Sequence, residues 1–244
     1  MIRRTWQSAM IALARSQAAK AAIQRPAATS ALAARFVAGA DAQAAVARAL
    51  GLHAAHSIRG SLFYLGEYVD RPELVAENVS AKLEVARLLG HAGLDVHVSV
   101  DPTQIGHNFD PAGARRNAFA IAEAVQQAAD NRPGVHALMF DMEDQSVIDA
   151  TIALHDQVRA AGLPSALTLQ AYLRRTEADL LMQTRRDARV RLVKGAFAAG
   201  RDVAAVPRRG AGGYWRCGGR RPQRDGTHRS PRPGGRVRPA SSRD

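Results

Sequence analysis

Four short apolar runs, each ending in polar residues, recur at regular intervals through the middle of the chain. The runs are VHVSVD (96–101), ALMFDMED (137–144), ALTLQAY (166–172) and VRLVKGAF (190–197). Between them, apolar residues recur at helical spacing. Runs that are apolar along their whole length are typical of strands buried on both faces. The pattern therefore predicts parallel strands that alternate with helices and carry polar side chains at their carboxyl ends.

Proline and glycine positions set the predicted limits of these elements. The predicted strands are 57–67, 95–100, 137–142, 166–171 and 190–195. The predicted helices are 1–24, 40–50, and four segments that begin near Pro72, Pro111, Val147 and Thr176. We expect Gly51 to close the second helix, and Thr176 with Asp179 to form a capping box on the last one. On the helix after Pro72, the stripe predicted to face the sheet is Val75, Val79, Leu83 and Ala86.

Five strands alternating with helices indicate an α/β fold of the (β/α)8 TIM-barrel type, with about five units present. A doubly wound sheet could give the same alternation. The barrel is favoured because polar residues end every strand and no glycine-rich phosphate loop follows the first strand. A complete barrel needs ~250 residues, so about three strands are missing. The predicted divisions are an N-terminal helical segment (1–50), a partial barrel (51–206) and a tail (207–244).

The net charge of +12 is concentrated in the tail. Residues 207–244 contain eleven arginines, two aspartates, eight glycines and five prolines, whereas the other 206 residues carry a net charge of only +3. With so few aliphatic residues the tail cannot bury enough apolar surface to order itself. Its composition is typical of a shifted reading frame in a GC-rich gene. A disordered linker and a nucleic-acid-binding tail are the alternatives.

The rest of the composition excludes several classes of protein. The single cysteine, Cys217, rules out an intrachain disulfide and gives no zinc signature. His53 and His56 lack an evident third ligand, so no metal site is predicted. No run approaches the ~18 apolar residues of a membrane helix. The first 40 residues carry six basic residues and no acid, like a mitochondrial transit peptide, but an alanine-rich packing helix is the favoured interpretation.

The candidate chemistry lies at the strand ends. Asp101, Asp141, Gln170, Arg191 and Lys194 are expected to face one mouth of the barrel. Strict alternation would send Arg191 and Lys194 to opposite faces of their strand. A cation suits a cofactor phosphate or an electron-rich ring, and an amide that both donates and accepts suits a flat heterocycle. The glycine after Lys194 would let a ligand approach the backbone. Any one of these residues could instead cap a helix or form a structural ion pair.

Two other functions are compatible with these residues. Lys194 on a barrel strand could serve as the amine nucleophile of a Schiff-base aldolase or lyase, provided that it is desolvated. The arginine-rich tail could bind nucleic acid, and such binding would depend steeply on salt.

Several segments together resemble the proline dehydrogenase family. The most specific are TLQAYLRRTEADL (168–180) and VRLVKGAF (190–197). The supporting segments are RFVAG (35–39), SLFYLGE (61–67), VHVSVDPTQIG (96–106) and LMFDMED (138–144). The resemblance covers roughly residues 1–203. It implies a flavin-containing β/α barrel that oxidises L-proline to 1-pyrroline-5-carboxylate by hydride transfer to FAD.

The same resemblance implies roles for individual residues. The positions that match flavin contacts are Gln170, Arg191, Lys194, Gly195 and Ala196. The positions that match catalytic residues are Asp141 and Lys194, and those that match the substrate site are Asp101 and Phe197. The family also implies a cytoplasmic enzyme without a nucleic-acid partner. It leaves open a quinone as electron acceptor and a peripheral contact with the inner face of the membrane.

The chain departs from the family pattern at three places. The family usually has lysine where this chain has Asp101, which reverses a charge in the site. It usually has tyrosine where this chain has Phe197. After residue 206 nothing matches the family's last strands, its further flavin-binding segment or its paired arginines for the proline carboxylate. We therefore expect the activity of this chain to be impaired.

Overall fold

The computed structural model describes residues 37–65, 69, 71–195, 197, 199–200 and 202–204. The chain divides into two units, Met1–Val206 and Pro207–Asp244, and every described residue belongs to the first. The helix predicted over 1–24, the tail over 207–244 and the site residue Ala196 lie outside the described residues. The predicted disorder of the tail therefore stays a prediction.

Five helices and five strands alternate along the described part. The helices are α1 (Ala42–His56), α2 (Pro72–His91), α3 (Pro111–Ala129), α4 (Ile148–Ala160) and α5 (Thr176–Arg185). The strands are β1 (Leu62–Phe63), β2 (His97–Val100), β3 (Ala137–Phe140), β4 (Ser165–Gln170) and β5 (Val190–Val193). A short 3-10 helix, Pro102–Ile105, follows β2. Among these helices none is long and apolar enough to cross a membrane.

The strands form one parallel sheet in the order β1-β2-β3-β4-β5. A doubly wound sheet would reverse its strand order at a switch point, whereas a barrel adds each strand beside the preceding one. The sheet shows no reversal. For the described residues, the prediction of an incomplete β/α barrel with five units is therefore confirmed.

The helices pack on one face of the sheet. Apolar residues at alternate strand positions join the inner faces of α3 and α4 in the largest core cluster; those from the sheet include Val100, Leu138, Phe140, Leu167 and Leu169. A second cluster joins Val96 and Val98 to α2 and α3. The intervening strand positions face the other way, where Ala137, Met139 and Ala166 form a small separate cluster. This second face corresponds to the interior of the barrel.

Helix starts follow the sequence signals more closely than helix ends. Asp41 caps α1 by accepting from the Ala44 N–H at 2.8 Å, and Asp110 caps α3 by accepting from the Gly113 N–H at 2.8 Å. The expected stop at Gly51 is wrong, because α1 continues to His56 and ends at Ser57 in the left-handed conformation. A glycine inside a helix lowers its stability but does not end it when flanking residues favour the helix.

The capping box predicted at the start of α5 does not form. The Thr176 hydroxyl donates instead to the carbonyl of Gln170 at 2.5 Å. Asp179 accepts from Arg175 Nε at 2.7 Å, one helical turn away. The hydroxyl therefore joins the end of β4 to the start of α5 and fixes the turn that carries Gln170.

The buried stripe of α2 is rotated relative to the prediction. Its buried residues are Val75, Asn78, Lys82, Ala86 and Leu89, whereas Val79 and Leu83 are only half-buried. In a β/α barrel the helix that follows a strand begins near the mouth and runs back along the sheet. The polar members of the stripe belong to the first half of α2, and the apolar Ala86 and Leu89 belong to the second half.

Candidate active site at the carboxyl ends of the strands

Four polar residues form one row across the carboxyl ends of neighbouring strands. Thr168 lies opposite Arg191 in the register of β4 and β5. Phe140 pairs with Leu167 and Val100 pairs with Phe140, so Asp141 and Asp101 continue the same row. The Asp141 N–H donates to the carbonyl of Val100 at 2.9 Å and extends the ladder to this position. The register therefore brings together three residues predicted for the site and adds Thr168.

Asp141, Thr168 and Arg191 are joined directly. The Thr168 hydroxyl donates to Asp141 Oδ1 at 2.6 Å and accepts from Arg191 Nε at 3.1 Å. The Arg191 Nη2 group forms an ion pair with Asp141 Oδ1. Thr168 is buried, but 41% of the Arg191 side chain remains exposed. One edge of the guanidinium is therefore fixed by the row while the group stays accessible to a ligand at the mouth.

Asp101 occupies the β2 end of the row, and a buried lysine lies beside it. The carboxylate is 5% exposed, and the residue precedes the 3-10 helix. Lys82 donates from Nζ to Gln104 Oε1 at 2.8 Å, and Nζ lies 6.0 Å and 5.6 Å from the ring centroids of Phe63 and Tyr64. Burial lowers the pKa of Lys82 to about 8, and the charge of Asp101 opposes that shift.

Gln170, the last residue of β4, is fully enclosed. Its side-chain NH₂ donates to the carbonyls of Met142 and Glu143 at 3.3 Å and 3.2 Å. Its Oε1 atom is buried and has no hydrogen-bond partner within the described part of the chain. A buried acceptor without a donor is costly, so this atom is suited to an N–H group that a ligand would bring.

Glu143 holds the loops after β2 and β3 together. Its carboxylate is 1% exposed and accepts from the Thr103 N–H at 3.1 Å and from the Thr103 hydroxyl at 2.5 Å. Its backbone carbonyl is one of the two acceptors for Gln170. Glu143 therefore fixes the loop against which the Gln170 amide is oriented.

Below the row, polar side chains line the interior between β1 and β2. The Ser61 hydroxyl bonds to His97 Nδ1 at 2.7 Å and to the Ser99 hydroxyl at 3.0 Å. The pKa of His97 is lowered, mainly by burial and further by the positive charges of Arg191 and Arg189. The imidazole is therefore neutral at pH 7 and fills the interior as a hydrogen-bonding group.

The segment after β5 packs against Tyr172. The Tyr172 N–H donates to the carbonyl of Lys194 at 3.3 Å, and its hydroxyl donates to the carbonyl of Phe197 at 3.0 Å. Gly195 has φ of +89°, and a Cβ atom there would overlap the Tyr172 ring. The space beside Gly195, where we expected a ligand to approach the backbone, is therefore occupied by the Tyr172 ring. Burial raises the pKa of the Tyr172 hydroxyl, with a further contribution from Asp144, so it remains a donor at pH 7.

Lys194 and Gln170 lie on the same rim of the sheet. Gln170 pairs with Val193, and Lys194 is the next residue after β5. That both residues contact one flavin, as the family resemblance implies, stays a prediction. The Lys194 side chain is exposed and so lacks the burial that the Schiff-base alternative requires. Lys82, in contrast, is buried, and its pKa is lowered to about 8.

Sequence reasoning missed two residues that organise the site. Thr168 lies two positions before Gln170, so the period of two along β4 would have placed both side chains on the interior face. Lys82 lies seven residues after Val75 and four before Ala86, which is core spacing on a helix. A lysine at a position with core spacing was therefore the sequence signal that could have identified Lys82.

The comparisons with known proteins agree on one family. The model of the proline dehydrogenase family matches residues 11–205. Proline dehydrogenase 2 of Bacillus subtilis strain 168 is 28% identical over 143 residues, which is 58% of this chain and 45% of the relative. Proline dehydrogenase 1 of Bacillus subtilis subsp. natto is 29% identical over 177 residues, which is 72% of this chain and 56% of the relative. The chain spans about half the length of these relatives.

The fold comparison gives the same architecture. Proline utilization A from Bdellovibrio bacteriovorus superposes with a TM-score of 0.56 at 18% identity, over 67% of this chain and 20% of that protein. The corresponding protein of Corynebacterium freiburgense gives a TM-score of 0.50 at 23% identity, over 64% of this chain and 18% of that protein. Because both sequence identities are below 25%, the structural similarity shows the fold alone. With a family model that matches most of its length, the chain belongs to the proline dehydrogenase family.

Proposed function

We propose that this chain carries the flavin site and part of the substrate site of an FAD-dependent enzyme that oxidises L-proline to 1-pyrroline-5-carboxylate. The observation that carries the proposal is the buried Oε1 atom of Gln170, which has no hydrogen-bond partner among the described residues. It lies on the rim that also carries the accessible guanidinium of Arg191. A flat heterocycle that offers an N–H group and gains negative charge on reduction is complementary to both groups.

The residues that would hold the flavin are Gln170, Arg191, Lys194, Gly195 and Ala196. Bound there, the flavin would supply the redox chemistry by accepting a hydride from the ring carbon of proline next to nitrogen. Gln170 would accept a hydrogen bond from the heterocycle. Arg191 would provide positive charge, and its orientation is fixed by Thr168 and Asp141.

The substrate side of the site would involve the carboxylates of the row. Asp101 and Asp141 occupy neighbouring positions at the ends of β2 and β3. Carboxylates favour the positively charged ring nitrogen of an amino acid over a neutral ligand. Phe197 would supply an apolar surface near the same rim. The role of Asp141 would combine orientation of Arg191 with recognition of the substrate.

Two further parts of the proposal concern the chain as a whole. We expect turnover by the 244-residue chain to be impaired, because the five units of the described residues leave the barrel open and the paired arginines expected for the substrate carboxylate are not matched in its sequence. A quinone as electron acceptor and a peripheral contact with a membrane are proposed on the family resemblance alone.

Flavin binding is the direct test of the cofactor site. Purified residues 1–244 should bind FAD in a fluorescence titration, and the bound flavin should show a structured visible absorbance. Gln170→Leu should weaken binding by about tenfold, since it removes one ligand hydrogen bond from a buried site. The matched control is Gln127→Leu, an exposed position on α3, which should leave the affinity unchanged.

Two results would contradict the cofactor assignment: wild-type protein that folds but binds no FAD, or Gln170→Leu that binds as tightly as wild type. Turnover is measured separately as proline-dependent dye reduction by the FAD-loaded chain. Slow reduction agrees with an impaired enzyme, whereas rapid reduction would contradict the expected impairment and support the activity.

A further inference from the structure

Lys82 is buried in a helix that packs on the outside of the barrel. It is 1% exposed and lies in the buried stripe of α2 between Asn78 and Ala86. An ammonium removed from water is costly unless a charge and hydrogen bonds compensate it. The position therefore requires a compensating partner.

The groups around the ammonium identify that partner. The 3-10 helix supplies Gln104 Oε1 at 2.8 Å, and the end of β1 supplies the aromatic rings of Phe63 and Tyr64. Gln104 also donates from Nε2 to the carbonyl of Tyr64 at 2.9 Å, which joins the ends of β1 and β2 around the lysine. The Gln104 N–H donates to the carbonyl of the buried Asp101 at 3.0 Å, so the residue that binds the ammonium is tied directly to Asp101. The charge of Asp101 favours the protonated form of Lys82.

Asp101 has a second charged neighbour across the sheet. It occupies the position beside Asp141 in the row, and two adjacent carboxylates that lack counter-charges tend to share one proton. Each of these carboxylates has its own cation: Arg191 pairs with Asp141, and Lys82 compensates Asp101. Arg191 and Lys82 therefore place one positive charge near each of the two carboxylates of the row.

We propose that Lys82 is a positioning residue of the site, whose buried ammonium neutralises Asp101 and keeps it ionised beside Asp141 for the ring nitrogen of the substrate. The proposal rests on the proposed function for the identity of that substrate. A positive charge from α2 thus lies beside the aspartate that reverses the charge of the family's usual lysine.

The first test is a double-mutant cycle between Lys82 and Asp101, measured as the unfolding equilibrium constant in urea at pH 7. Lys82→Met alone removes the cation beside a buried carboxylate and should raise that constant by about 100-fold. Lys82→Met with Asp101→Asn removes both charges and should return it to within about tenfold of wild type. The matched control is the exposed Glu84–Arg87 pair on the same helix, whose coupling should stay below about fivefold.

The second test reads the ionisation of Asp101 directly. A pH titration of its side-chain carboxyl carbon by NMR should show a pKa at least about one unit higher in Lys82→Met than in wild type, and no such change in Arg87→Met. A role limited to packing would not shift the titration of that carboxyl group.

Additive effects of K82M and D101N, or an Asp101 titration that K82M leaves unchanged, would overturn the proposal. If K82M fails to fold while K82M/D101N folds, the rescue supports it; if both fail to fold, the rescue is absent and the proposal is wrong. Neither test uses flavin or turnover. A failure of the cofactor assignment would therefore appear in the FAD titration and not in these measurements.

Discussion

Gly195 shows how a single residue can fix the shape of the rim. Its positive φ is a conformation that other residues adopt only at a cost, and its missing side chain leaves the space that the Tyr172 ring occupies. The Tyr172 hydroxyl then bonds to the carbonyl of Phe197. The conformation of the segment after β5 therefore depends on a residue from the end of β4.

Gly195→Ala should destabilise the protein by about 2–4 kcal/mol, since it adds backbone strain and a steric overlap with Tyr172. The control is Gly162→Ala. Gly162 also has positive φ, but a Cβ there would have no heavy atom within 4 Å, so only the backbone cost of about 1–2 kcal/mol should appear. Urea unfolding of both variants measures the difference. Equal losses would show that the Tyr172 contact contributes nothing.

At the scale of elements, α4 is held against β3 by a buried histidine. His155 is completely enclosed, and its ring meets that of Phe140 edge-on with centroids 5.9 Å apart. Nδ1 lies 3.2 Å from Asp156 Oδ1, while Nε2 has no hydrogen-bond partner within the described residues. Burial lowers the pKa of His155, and the nearby Asp156 carboxylate opposes this effect without reversing it.

A lowered pKa in the folded state means that the unfolded chain takes up the proton first as pH falls. The stability associated with His155 is therefore fully present above its unfolded pKa of about 6.5 and is lost progressively below it. His155→Phe should flatten the fall in unfolding free energy between about pH 7 and pH 5. The control is His56→Phe, which removes an imidazole at the exposed end of α1. Identical slopes for H155F and wild type would contradict a neutral buried imidazole.

The sequence predicts well those elements that are marked by a pattern within one short segment, such as a continuous apolar run. Each of the last four strands was found within two residues at either end, because a buried parallel strand is a continuous apolar run. The first strand was predicted over 57–67, but β1 comprises only Leu62–Phe63. Errors arose where the outcome depends on packing: Thr176 bonds to a strand-end carbonyl instead of capping its helix, and Gly51 stays helical.

The site shows the same difference between features set by local sequence and features set by packing. Asp101, Asp141, Gln170 and Arg191 could be predicted because the carboxyl ends of parallel strands share one edge of a sheet. The links between them could not, since the bond from Thr168 to Asp141 spans two strands and Lys82 reaches the mouth from a helix. Such contacts depend on the register of the strands and the rotation of α2, neither of which is encoded by a short segment.

At the scale of the whole molecule, the important feature is that the described part of the sheet has two edge strands, β1 and β5. Within the described residues, β1 pairs only with β2, and β5 pairs only with β4. The carbonyls of Arg189 and Val193 accept bonds from β4, so by alternation the backbone polar groups of Val190 and Leu192 point away from it. Such an edge can pair with another chain.

We therefore expect the chain to self-associate as its concentration rises. Val190→Lys places a charge on the β5 edge at the end of the strand remote from the site, and should lower the average mass seen by sedimentation at a matched concentration. Val37→Lys, an exposed position outside the sheet, is the control and should leave the association unchanged. Equal association of both variants and wild type would show that the β5 edge is not the contact surface.

The separation of the two faces of the sheet also bears on how such a protein can evolve. Among the described residues, most of the apolar core lies between the sheet and its helices, while the interior face has a three-residue apolar cluster below the polar row. Mutations on the interior face can therefore alter ligand preference while most of the hydrophobic packing stays intact. Selection for new specificities would be expected to sample those interior positions first.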